Sequence, residues 1–402
     1  VRRVVPTAAF AFLVALSAAG PVQAEVWRDP TLREALSAAD LVVRAVATED
    51  GSEARPEVRF RAEEVLSGKA PATFAVGGLI DPTRIKGPTF IRKGQRMLLL
   101  LKRRKKGEGY TIPTPTFGRF RITDQDLVKH AALRDTLLRL DLARSDYEAY
   151  LRLRLNTKPD PVWIRELCDA LQRSLKASEV DAPARAKQYL ALEVLAQAGG
   201  GERERALVAA CWKPEQPFQL RVSACRAAAR VLGAAALKPL TGLAREDKSK
   251  AVRIAAIRSL AGLRVAAAKR RHLFVGLLPK ATTEPFRLSH GPNDPRTNRW
   301  ASPKVTLLKA IARLDPAPVK GKLLAMLEEA SLPLPVFSAT LLALLEIKGD
   351  ASLPKELIKR FRTEAEVGAR LYNRELCAAL TRLTKRGFKE DLKAWRRWAA
   401  KQ

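Results

Sequence analysis

The 402-residue chain has little of what catalysis usually draws on. Its three histidines, His130, His272 and His290, share no spacing with one another or with cysteine that would gather a metal ion. Its four cysteines, Cys168, Cys211, Cys225 and Cys377, include no Cys-x-x-Cys pair, which argues against thiol redox chemistry and zinc ribbons. Gly199-Gly200-Gly201 is not followed by Gly-Lys-Ser/Thr, so it reads as a helix–helix turn and not as a phosphate loop. Nothing in the chain calls for a cofactor or marks a catalytic constellation. Aromatic residues make up only 6%, while the apolar content is 47%, rich in alanine and leucine. That excludes a wholly disordered protein and favours helices packed through small side chains over a large β-sandwich.

Acidic residues are also scarce. The 42 Asp and Glu stand against 73 Lys and Arg, a formal charge of +31. Such an excess invites a nucleic-acid reading, but the N-terminus redirects it. Arg2 and Arg3 precede an apolar stretch from Val4 to Ala19, and small residues follow up to Ala24. Basic start, short apolar centre and small residue at the cut are the parts of a secretory signal peptide, expected to be cleaved near Ala24. The alternative is a retained N-terminal anchor. No second long apolar run exists, so the mature chain is expected to be exported, periplasmic or secreted. Two charges belong to residues 1–24, six to 25–125 and twenty-three to 126–402.

Hydrophobic periodicity divides the rest. A short helix is expected to end near Ala38, with Thr31 as its cap. Short strand-like runs follow at Leu41–Ala47, Glu57–Val65, Ala72–Ile80, Met97–Leu101, Tyr110–Thr114 and Arg119–Thr123. Val58, Phe60 and Ala62 alternate with Arg59, Arg61 and Glu63, the pattern of a half-buried strand. Residues 25–125 therefore read as a small antiparallel barrel or sandwich. Leu127, Ala131, Thr136, Leu137 and Leu140 recur at helical spacing, and 126–160 is expected to be a helical connector. From Pro161 onward helices alternate with Pro, Gly and Asp turns. Six related strings recur, with aligned leucines at Leu195, Leu232, Leu260, Leu314, Leu345 and Leu383. Their spacings are 37, 28, 54, 31 and 38, the long one holding an inserted loop at 281–300. Irregular helix-pair units of this length point to an α-solenoid.

LRVSACRAAARVLG (220–233) and AVRIAAIRSLAGL (251–263) resemble the second helix of HEAT-like repeats, and AREDKSKAVR (244–253) resembles their acidic turn followed by Val-Arg. The opening strands, in Ala39–Ala45, Val58–Pro71 and Lys93–Lys102, resemble the small, OB-like β domains that follow signal peptides in secreted bacterial proteins. The tail from 380, with Trp395 and Trp398, resembles the closing segment of exported bacterial HEAT-repeat proteins, which end in a Trp-rich helix. The resemblance implies a small all-β domain followed by an all-α HEAT-like solenoid over 161–402, closed by a Trp-rich capping helix. It also implies an inter-repeat polar ladder, falling by position on Asp247 and Arg253, with Glu215 and Arg221 one unit earlier.

Several residues have two readings. The cysteines are favoured as small buried hydrophobes, although export permits disulfides. Lys102–Gly107 is either a solvated hairpin turn or an anion-contacting tip. The loop 281–300 is either functional or structureless. Arg226, Arg230 and Arg258 are spaced to project from second helices, and Lys269, Arg270 and Arg271 form a basic cluster just before the loop. These six are the candidate binding residues. The leading expectation is an exported, non-enzymatic scaffold that holds a protein or an anionic envelope component on a basic solenoid face. The alternatives are a nucleic-acid-binding, DNA-repair-like HEAT protein, against which the export signal speaks, and a HEAT-like lyase.

Overall fold

The computed structural model describes residues 32–52, 57–79, 90–104, 108–112, 119–132, 139–155, 158–177, 179–284, 286–287, 300–363 and 368–401. The export signal, Thr31, the tip of the basic run at 105–107 and most of the loop 281–300 lie outside these residues.

A short helix, α1 (Leu32–Ala38), leads into β1 (Leu41–Ala47), β2 (Gly51–Ser52), β3 (Val58–Ser67), β4 (Thr73–Gly77), β5 (Phe90–Ile91), β6 (Arg96–Arg103), β7 (Tyr110–Thr111) and β8 (Arg119–Arg121). β1 is antiparallel to β3 on one edge and to β6 on the other. β3 continues to β4, β4 runs parallel to β7, and β7 returns to β6, so five strands close into a barrel. Closure leaves no long free sheet edge. β8 extends β6, and β2 with β5 forms a separate ribbon. Val43, Ala45, Val58, Phe60, Val76, Met97, Leu99 and Leu101 fill the interior. Val42, Leu98 and Leu100 face outward, yet they are buried in a second cluster with Leu32 and Leu36 of α1. The run Leu98–Leu101 is thus covered on both faces, which is why it is continuous and not alternating. Gly68 ends β3 at φ +88°, where a Cβ would stand 2.3 Å from the Asp40 carbonyl oxygen, so no larger residue fits.

The expected helical connector is only partly helical. β9 (Leu127–Ala132) and β10 (Arg139–Ala143) pair antiparallel, Leu127 opposite Ala143, and helix begins only with α2 (Arg144–Arg154). Val128 bridges to Ile122 at the end of β8, so the barrel sheet recruits this segment and overrides its helical spacing. α2 then docks on the barrel. Tyr147, Tyr150 and Leu151 are fully buried with Phe120, Leu98 and Leu100. A chain of ion pairs fastens the same junction. Arg44 of β1 donates to Glu63 at 3.0 Å and to Glu148 at 2.9 Å, Arg144 donates to Asp126 at 2.8 Å and Glu148 at 3.0 Å, and Arg152 meets Glu64. Burial opposes charge on Arg44, but its hydrogen bond to Glu148 holds its pKa above the usual arginine value.

The remaining helices are α3 (Pro161–Lys176), α4 (Ala182–Ala198), α5 (Glu202–Ala210), α6 (Phe218–Val231), α7 (Leu237–Glu246), α8 (Lys250–Gly262), α9 (Ala267–Leu277), α10 (Pro303–Ala312), α11 (Lys320–Leu327), α12 (Leu334–Leu345), α13 (Leu353–Ile358), α14 (Ala369–Thr384) and α15 (Leu392–Ala400). Between α9 and α10, β11 (Phe286–Arg287) pairs with β12 (Trp300–Ala301). Asp160, Asp181, Ser302 and Asp391 accept backbone N–H bonds at the starts of α3, α4, α10 and α15, and proline occupies the first turn of the first three. α4, α6, α8, α10, α12 and α14 pack each on the next, and each also packs on the helix before it. The six recurring strings fall at the C-terminal ends of these even-numbered helices. One hydrophobic cluster continues from Leu32 through the array to Trp395. Trp395 is fully buried, edge-on to Phe388 and Trp398, and its Nε1 donates to the Lys389 carbonyl. Among the described residues no helix is long and apolar enough to cross a membrane.

Candidate functional site

An even-numbered helix in the middle of this array is covered on three sides: by the even helix before it, the even helix after it and its odd-numbered partner. Whatever it exposes must lie on the fourth side, so the exposed positions of α6, α8, α10 and α12 share one face. Burial shows how selectively that side is used. Between Ala251 and Leu260 every residue of α8 is buried except half-buried Arg253 and exposed Arg258. Between Pro303 and Ile311 of α10 the exceptions are half-buried Lys304 and exposed Lys309. α6 shows half-buried Arg226 and exposed Arg230, and Arg313 is exposed just beyond α10. None of α6, α8 and α10 contains an acidic residue. Arg226, Arg230, Arg258 and Lys309 thus form a basic stripe on helices that contain no acid of their own, whereas Arg253 and Lys304, five residues or about 140° of helix from Arg258 and Lys309, lie to one side of it.

Carboxylates flank the stripe on both sides. At the α4 side Glu193 is buried, and its Oε1 lies 3.7 Å from Arg226 Nη1. On the far side, Ser338 of α12 donates to Glu375 of α14 at 3.0 Å, and Arg382 donates to Glu346 at 3.5 Å.

The structure divides the six candidate binding residues. Arg226, Arg230 and Arg258 stand in the even-numbered layer. Lys269, Arg270 and Arg271 stand on α9, in the odd-numbered layer, and two of them are engaged. Arg270 donates to the Ala261 carbonyl near the end of α8. Arg271 donates to the carbonyls of Leu314 at 3.0 Å and Asp315 at 3.1 Å, past the end of α10. Both neutralise carbonyls left open at helix C-termini, so the expected single basic patch is not formed. Sequence reasoning missed Lys309 and Arg313. The available signal was a lone lysine in an otherwise apolar turn of α10.

The ladder residues also regroup. Arg221 does not pair with Glu215, which is exposed and takes no part in the rung. Its Nε and Nη2 grip Asp247 of the next helix pair at 3.1 and 3.0 Å, and its Nη1 donates to the Pro214 carbonyl at 3.0 Å. Asp247 in turn accepts from the Ser249 N–H at 2.7 Å. Arg253 donates to the Asp247 carbonyl at 2.7 Å and reaches Thr282 Oγ1 at 3.3 Å. The rung therefore joins consecutive pairs, and its acid comes from the following one.

The four cysteines are free and buried. Burial pushes the thiols of Cys211 and Cys225 up to about 12, and those of Cys168 and Cys377 up to about 11. His272 is exposed on α9, His130 falls in β9, and His290 lies outside the described residues. Among the described residues no group of three His, Cys, Asp or Glu could hold a metal ion. A cleft of about 820 Å³ near the C-terminus is lined by Arg370, Arg374, Lys393 and Arg396 together with Glu390 and Asp391. Compared with models of protein families, with curated proteins and with solved structures, the chain matches none.

Proposed function

We propose that the chain is an exported binding protein in which a HEAT-like α-solenoid, preceded by a small OB-like β barrel, holds an anionic macromolecular partner. The observation that carries this reading is the basic stripe of Arg226, Arg230, Arg258 and Lys309 on three successive acid-free helices. A large apolar array has no folding reason to place its exposed side chains in one sign of charge. Long-range attraction from such a row raises the association rate with an anion and fades as salt screens it. The solenoid reading is supported by the packing of even-numbered helices each on the next, with one odd-numbered partner apiece. The export reading rests on residues 1–24, and it places the partner outside the cytoplasm.

The test is titration of the purified protein with fluorescent polyglutamate at low and high salt. Binding is expected at low salt and is expected to fall steeply as salt rises. Reversing Arg230, Arg258 and Lys309 together to glutamate should remove it. Reversing Lys393 and Arg396, which lie on α15, should leave most of it. Equal binding by the stripe variant would sink the proposal. A duplex oligonucleotide is the competing probe. Preference for it, with the protein recovered from the cytoplasm and residues 1–24 intact, would favour the DNA-repair-like alternative.

A further inference from the structure

The open face that carries the basic stripe changes character once, and abruptly. α6, α8 and α10 are basic and acid-free, whereas α12, LPVFSATLLALL, has no charged residue at all. On α12 the open side presents Pro335 and Leu342, the latter 45% exposed. On α14, Leu371 is 44% exposed and lies one turn before Glu375, the residue that meets Ser338 of α12. Leu371 is thus on the same face. Among the described residues five large hydrophobic side chains are exposed, and two of them are Leu342 and Leu371. Scattered exposed leucines need no explanation, but two on adjoining helices next to a one-sign row of charge form a composite surface.

We infer that the partner is an acidic polypeptide segment in which a run of carboxylates is followed by apolar side chains. The carboxylates lie across α6, α8 and α10, and the apolar residues lie on α12 and α14. This rests on the binding role proposed above and narrows it. A uniform polyanion such as a sulfated polysaccharide or a nucleic-acid backbone would gain from the basic row but would leave the leucines without a use. A polypeptide can present both chemistries within a few residues. Successive packed helices lie about 8–10 Å apart, a step that an extended chain covers in about three residues. The inference therefore calls for acidic residues at roughly every third position across the stripe.

The test uses the full chain and three probes followed by fluorescence anisotropy: a peptide with Glu at every third position ending in Leu-x-x-Leu, the same peptide ending in Ser-x-x-Ser, and a labelled heparin oligosaccharide. The leucine-ended peptide should bind tightest. Leu342→Gln combined with Leu371→Gln should weaken that peptide about tenfold, toward the affinity of the serine-ended one, and leave the serine-ended peptide and heparin unchanged. Both leucines are about half exposed, and an unchanged thermal midpoint will show that the variant is folded. The inference is overturned if the double glutamine variant binds the leucine-ended peptide as wild type does, or if heparin binds more tightly than either peptide. Those outcomes leave the basic stripe intact as a binding surface. Only failure of the Arg230, Arg258 and Lys309 reversal to weaken all three probes would remove the reading beneath.

Discussion

At the scale of single residues, the basic side chains of this protein stand in two distinct settings, and sequence position does not tell them apart. Arg258 and Arg270 are both arginines beside apolar helical strings, yet Arg258 is exposed in the even-numbered layer and Arg270 reaches from the odd-numbered layer to the Ala261 carbonyl. The difference is set by which layer a helix joins, a tertiary fact invisible to local spacing. The Arg221–Asp247 rung is the clearest structural use. Both side chains are almost completely buried, and removing one leaves the other charged and unpaired. Asp247→Ala should cost about 3 kcal/mol in urea unfolding, and Arg221→Met combined with Asp247→Leu should cost less than that single change. A double variant worse than Asp247→Ala would contradict the account. Acid dependence offers a second check. Hydrogen bonds from Lys320 and Ser352 hold Asp350 down at about 2, against its usual 3.8. A carboxyl depressed on folding stabilises the protein above its unfolded pKa, and that contribution is lost as pH falls through the folded one. Asp350→Asn should therefore flatten the loss of stability between pH 3.8 and about 2 and lower stability at neutral pH. The thiols give a third. With pKa values raised to about 11 or 12, the cysteines hold almost no thiolate at pH 8 and lie away from solvent. None should react with a thiol reagent in the native protein, and all four should react once it is unfolded.

At the scale of elements, much of the fold was legible because hydrophobic period and turn chemistry agree over most of the chain. Leu41–Ala47 is a strand as read, and the recurring leucines from Leu195 to Leu383 mark the ends of successive even-numbered helices. The misreading at 127–143 has a specific cause. Residues at three-to-four spacing there also satisfy a two-stranded pairing, and the intervening sequence, Leu133 to Leu138, has no glycine or proline to announce a turn. The partner that decides the matter, Ile122, sits on a different element. The candidate site was half legible for the same reason. Arg226, Arg230 and Arg258 follow from helical spacing, whereas Lys309 becomes meaningful only when α10 is seen to stack on α8. The closing helix was read as a cap, and its contacts support a quantitative expectation. Trp395 fills the end of the hydrophobic cluster against Phe388 and Trp398. Trp395→Ala should cost about 3–5 kcal/mol in denaturant unfolding. Deleting 388–402 should lower the thermal midpoint as well, and an unchanged midpoint would show that the array closes without this helix.

At the scale of the whole molecule, the barrel and the helical array share a core, and this has a consequence for cooperativity. The barrel has its own interior, but the outward side chains Val42, Leu98 and Leu100 belong to the cluster that continues through α2 into the array. Glu148 sits at the centre of that junction, nearly buried, with Arg44 at 2.9 Å on one side and Arg144 at 3.0 Å on the other. Neutralising it would remove the carboxylate that the two partly buried guanidinium groups share, leaving Arg44 to Glu63 and Glu64 and Arg144 to Asp126, a loss of about 2 kcal/mol concentrated where the two parts meet. Elements joined by nearest-neighbour contacts unfold together only while the joining interface outweighs the difference between their own stabilities. The wild-type protein should therefore give one calorimetric transition, and Glu148→Gln should split it into two. A single transition in the variant, merely shifted to lower temperature, would mean that the apolar contacts of Tyr147, Tyr150 and Leu151 suffice to couple barrel and array, and that the ion pairs only tune the joint.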